Sequence, residues 1–203
     1  MTPRMMIAAV IFILLSAGCR QVVKMRYGVR EPREETPASI IGFLKRMDQS
    51  AGSCFIFRDS ASFCGYIKNP VFRENLLGSF FFNSRGLIIH YKDTNKCRWS
   101  ATTFIKNLRN DTLYQVDTTF RFNELLSHLS PLITGDTMNI KETDYDFVIV
   151  ITWAMFAGKL NERLFHADEA LAENPRIRAG VLFLNMDMQK DWKLQQGQKL
   201  VVR

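Results

Sequence analysis

Histidine and cysteine are scarce in this chain, with three of the first and four of the second among 203 residues. His90, His128 and His166 stand far apart and share no motif, so each reads as a structural residue before it reads as a general base. Zinc needs three or four ligands at closed spacing, and Cys54, Cys64 and Cys97 with His90 do not supply it. No metal and no cofactor is expected. There is no G-x-S-x-G elbow, phosphate loop or zinc-binding helix, and no internal repeat or low-complexity segment. The apolar stretch from Met5 to Ala17 falls short of the ~20 residues that span a bilayer. These absences remove the common hydrolase, nucleotide-binding and metalloenzyme readings.

What is present is a core. Hydrophobic residues make up 47% of the chain, enough for one domain or two small ones. The net charge of +7 comes from basic residues that are scattered along the chain. Nucleic acid as a partner is therefore not expected. An anionic membrane surface accounts for the same charge at least as well.

The N-terminal pattern is the most specific one. Arg4 precedes the apolar stretch, which suits a signal-peptide core and ends in Leu14-Leu15-Ser16-Ala17-Gly18-Cys19. This resembles the bacterial lipoprotein box, in which small residues precede a cysteine that is lipidated and becomes the mature N-terminus. Ser16 stands where the usual box has leucine, with Leu15 one place further back. An ordinary cleaved signal and an uncleaved anchor helix are the alternatives. The resemblance implies a signal peptide over 1–18, acylation of Cys19 and two-chain anchoring in a membrane of the bacterial cell envelope. Arg20-Gln21-Val22 follows the cysteine instead of an acidic run, which points to the periplasmic side. Residues 19–35 are polar and charged without apolar period, and are expected to be a solvated tether.

The globular domain is expected over 36–203. Thr36-Pro37 is a helix start, with Ile40, Ile41, Leu44 and Met47 forming one apolar face. Cys54-Phe55-Ile56-Phe57 reads as a strand. Asp59 or Ser60 caps a helix carrying Phe63, Cys64 and Ile67 up to Asn69-Pro70. Two apolar runs, Leu77 to Phe82 and Leu87 to Tyr91, flank Asn83-Ser84-Arg85-Gly86 as a β-hairpin. Phe80-Phe81-Phe82 cannot share one face of a sheet, so at least one ring meets a second layer or a partner. Tyr114 to Asp117 suggests an edge strand. Phe122, Leu125, Leu126 and Leu129 suggest a helix ended by Ser130-Pro131, and Thr134 to Thr143 a surface loop.

The stretch from Tyr145 to Asp187 reads as a βαβ unit. Phe147 to Thr152 is a buried strand, and Leu160, Leu164, Ala167 and Leu171 recur at helical spacing. Asn174-Pro175 stops that helix, and Val181 to Leu184 is a second strand, expected to lie parallel to the first. Trp153-Ala154-Met155-Phe156-Ala157-Gly158-Lys159-Leu160 is similar to the thioredoxin active-site turn, W-A-x-W-C-G-P-C. Leu184-Asn185-Met186-Asp187 is similar to the end of the next thioredoxin strand. The likeness implies an α/β fold, thioredoxin-like or a related mixed sheet with helices on both faces.

Ala157 and Leu160 stand where the two cysteines would be and Lys159 replaces the proline, so dithiol exchange has no thiolate here. The family closes its sheet with a hairpin, and too little chain follows Asp187 for the remaining helix and hairpin. The missing strands therefore come from the N-terminal half, or the unit belongs to another α/β sheet. No proline precedes the hairpin as the family's cis-proline does; Gly78 or Ser79 takes that place. Trp153, Phe156 and Lys159 are the candidates for a surviving groove that receives a peptide or protein partner. An enzymatic alternative gives the exchange role to Cys54 and Cys64, paired as a reversible disulfide. A third reading is a structural lipoprotein with no small-molecule site. Asp187, at a strand end, is expected to cap.

Overall fold

The computed structural model describes residues 26–73, 76–90, 101–133 and 140–192. The signal-peptide segment, Cys19, Cys97 and most of the loop after Ile133 lie outside those residues. Among the described residues no helix is long and apolar enough to cross a membrane.

Helix α1, Pro37–Arg46, starts as its sequence dictates. The Thr36 hydroxyl accepts from the Ser39 N–H at 3.2 Å, and the Ser39 hydroxyl accepts from the Thr36 N–H at 2.9 Å. Strand β1 is Cys54–Phe57. Asp59 caps α2, Ser60–Lys68, through the Ser62 N–H, a bond that also holds its carboxyl below the ordinary aspartate range. A single turn, α3, spans Pro70–Arg73. The hairpin is β2, Gly78–Asn83, and β3, Leu87–Ile89, with Gly86 at φ 70° in its turn. Helix α4, Ala101–Asn107, leads to strand β4, Val116–Arg121. Helix α5, Phe122–Ser127, is followed by strand β5, Leu129–Pro131. Strands β6, Phe147–Trp153, and β7, Ala179–Asn185, enclose helix α6, Ala167–Ala172.

The strands form one mixed sheet in the order β4-β3-β2-β6-β7-β1-β5. β6, β7 and β1 run parallel, and β2 lies antiparallel to β6 along its whole length, from Gly78↔Thr152 to Asn83↔Phe147. The α/β fold with a mixed sheet and helices on both faces is therefore present. Side chains alternate between two layers. Phe55, Phe57, Phe80, Phe82, Val148, Val150, Leu182 and Leu184 pack under α2, α3 and α5. Cys54, Phe81, Ile149, Ile151, Trp153, Val181 and Phe183 pack under α1, α4 and α6. The three consecutive phenylalanines are split between these layers, and all are buried.

Three sequence expectations are corrected. Leu129 belongs to edge strand β5, paired antiparallel with β1, and not to the preceding helix. The helix expected through Leu160 is broken: Met155–Arg163 is 3₁₀, and only Ala167–Ala172 is α-helical. Gly158 interrupts it at φ 56°, ψ −129°, a conformation open to glycine alone. Finally, the part of the tether that is described is no free linker. The Arg30 N–H donates to the Phe156 carbonyl, the Glu35 N–H to the Met188 carbonyl, and the Lys190 N–H to the Glu35 carbonyl, each at 2.8 Å. Residues 27–35 form a strap across the carboxyl ends of β6 and β7.

Candidate functional site

The turn after β6 is held by buried polar side chains. Asn161 is fully buried, and its amide donates to the Ala154 carbonyl at 2.8 Å and the Gly158 carbonyl at 3.0 Å. Asp187, 3% exposed, accepts from the Met155 N–H at 2.7 Å and from the Asn185 amide at 2.8 Å. It thereby caps the 3₁₀ turn, satisfying a donor that would otherwise be orphaned. Burial pushes its carboxyl above the ordinary aspartate range, and the charge of Glu35 adds to that push against the bonds from Met155 and Asn185. Glu35 is itself buried, with one oxygen accepting from Arg33 and the other from the Ser39 hydroxyl, both at 2.7 Å. Gly158 sits so close to the strap that a Cβ there would collide with the carbonyls of Tyr27 and Gly28.

Strap and turn enclose a cleft with room for about 140 Å³, walled by Arg30, Arg33, Glu35, Arg46, Phe156 and Asp187 among others. A second lobe of about 210 Å³ is almost wholly apolar, lined by Pro32, Phe63, Ile67, Leu77 and Met186. Phe156 and Asp187 border both lobes. Ligand sites in open α/β sheets lie beyond the carboxyl ends of parallel strands, which is where this cleft opens. One lobe offers guanidinium donors and carboxylate acceptors, and the other a dry wall.

The expected groove residues are divided. Phe156 lines both lobes. Trp153 is 0% exposed, stacked on Phe43 at 5.6 Å and packed edge-on against Phe165 at 5.4 Å, so it is core and offers no surface. Lys159 is exposed and lines neither lobe. Ala157 is buried beneath the turn.

Cys54 and Cys64 are free thiols. The pairing suggested by their order is not made, because Cys54 points into the layer under α1 while Cys64 rides α2 on the other side of the sheet. Burial pushes the Cys54 thiol up to about 12, which leaves it without thiolate at neutral pH. His90 is exposed, 3.8 Å from Asp117. No cluster of three or more His, Cys, Asp or Glu side chains able to hold a metal occurs among the described residues.

Comparison with known proteins adds no relative: no family model, curated protein or solved structure matches the chain. The class that fold and site define is thus a mixed-sheet α/β protein with a strap-walled cleft.

Proposed function

We propose that this protein is a lipid-anchored component of the bacterial cell envelope, facing the periplasm, in which a thioredoxin-like scaffold without redox chemistry serves binding or assembly. The observation that carries the reading is the turn after β6. It follows a central parallel strand with a cleft beside it, and it carries Ala157 and Leu160 where the resemblance to thioredoxin puts the two thiols. Hairpin β2–β3, laid antiparallel along β6 from the N-terminal half of the chain, supports the rearranged strand order that the resemblance requires. Cys19, and not a membrane-spanning helix, supplies the anchor. The alternative, exchange through Cys54 and Cys64, draws no support from two unpaired thiols on opposite sides of the sheet.

The test joins intact mass and membrane fractionation to a disulfide-reduction assay. Acyl mass and membrane retention that vanish in Cys19→Ser, with no insulin-reducing turnover in either protein, is the expected result. A soluble, unmodified wild type overturns the anchor. Turnover that survives Cys19→Ser and is lost in Cys64→Ser restores the redox enzyme.

A further inference from the structure

We infer that the arginine-rimmed mouth of the cleft docks on the anionic phospholipid headgroups of the bilayer that holds the anchor. The inference rests on the proposed acylation of Cys19. Its geometric basis is the strap. Because main-chain bonds at Arg30 and Glu35 fix residues 27–35 to the domain, only residues 20–25 separate the anchoring cysteine from Arg26. Fully extended, a chain of that length reaches ~25 Å at most. Strand β6, Phe147–Trp153, is itself ~20 Å long. The carboxyl end of the sheet is thus held within about one strand length of the lipid, and the amino end lies a further strand away.

Unpaired cations at the carboxyl end act in the same sense. Arg26, Arg30 and Arg46 are exposed, and none has a carboxylate at ion-pair distance among the described residues. Arg26 lies over the Tyr27 ring and Arg46 over the Phe43 ring, at 5.7 and 5.8 Å. Stacking leaves the edge donors of a guanidinium for phosphate oxygens. Lys45 and Lys159 are exposed on neighbouring elements. Glu31 and Glu34 offset part of this charge, and Arg33 is already paired with Glu35. At the amino end of β6, Asp146 lies beside Arg85 and accepts from the Arg178 N–H, and exposed Lys141 and Asp144 flank it, so charges of both signs meet there. An anionic bilayer attracts the first end, which the short chain already holds near it.

The experiment reconstitutes the full chain into phosphatidylcholine vesicles with or without phosphatidylglycerol, carrying a benzoylphenylalanine photo-crosslinker at Glu34 or at Leu113. Lipid adducts from position 34 are expected to exceed those from 113 in both kinds of vesicle, as the short chain requires, and the excess to grow several-fold where phosphatidylglycerol is present. The excess should fall in Arg30→Gln and Arg46→Gln, and in Arg30→Glu with Arg46→Glu lose its dependence on phosphatidylglycerol; melting temperature checks that each is folded. Equal adducts from both positions, or an excess indifferent to phosphatidylglycerol and to the arginines, overturns the docking surface. Intact mass reads the anchor separately. An acylated protein without the positional excess loses the docking surface and keeps the anchor. An unacylated protein that still crosslinks from position 34 does the reverse.

Discussion

The two ends of strand β6 obey different rules. Around its amino end and middle, Phe147 to Ile151 pack among the apolar side chains of both layers. Around its carboxyl end the protein buries Thr152, Asn161, Asn185, Asp187, Glu35, Ser79 and Gln189, while elsewhere among the described residues Asn174 and the Tyr66 hydroxyl are buried. Burying polar groups lowers stability unless each is bonded, and unmet ones cost more. Here Ser79 Oγ and Gln189 Oε1 have no partner. One end of the strand therefore contributes stability, while the other fixes the shape of a cleft and strap at some expense to it.

The contrast is broken most forcefully from the apolar side. Phe82→Ala, which removes a ring with no exposure, should cost ~3–5 kcal/mol, measured as a shift in denaturant midpoint. Gly158→Ala should cost ~1–3 kcal/mol from its backbone conformation alone. Unlike Phe82→Ala it should also undock the strap, so that the Arg30 amide exchanges with deuterium far faster than the amides of β6. Normal protection at Arg30 would show that the strap does not depend on the turn.

Asp187→Ala should cost ~1–3 kcal/mol by stranding the Met155 N–H. Asp187→Asn sharpens the comparison through pH. The native carboxyl titrates above its unfolded value. Protonation therefore favours the folded state, and that contribution is complete below the unfolded pKa and lost as pH rises through the folded one. Wild type should lose stability relative to Asp187→Asn as pH is raised from about 4, and parallel pH profiles would refute the assignment. The smallest effect concerns thiols: Cys64 should react with an alkylating reagent in the native state well before Cys54, whose reaction should wait for unfolding.

Much of this architecture was legible in the sequence. Thr36 and Asp59 announce their helices, Asn83 to Gly86 the hairpin, and the β-branched run from Val148 to Thr152 the central strand. The misses have common physical causes. Strand β5 is too short for alternation to register, and Leu129 continues a helical period set by Leu125 and Leu126. The strap bonds through main-chain groups, which leave no imprint on side-chain composition, so polar residues 27–35 read as linker. Trp153 ends a strand, and its face follows from register: it shares the layer of Ile149 and Ile151. Asn161 and Glu35 build the site without any periodic signal. Gly158 was visible as a letter, but its need for positive φ arises only once Tyr27 and Gly28 lie against it.

Strand β1 has consequences in time as well as in space. It is made early, yet its ladders are Phe57↔Leu129 with β5 and Cys54↔Phe183 with β7. Neither partner exists until most of the chain has been synthesised, and contacts this distant in sequence slow folding. Meanwhile Cys-Phe-Ile-Phe is an unpaired apolar edge open to intermolecular pairing. Completion of the sheet must await β7, so truncation before Ala179 should give an aggregating product and not a smaller domain.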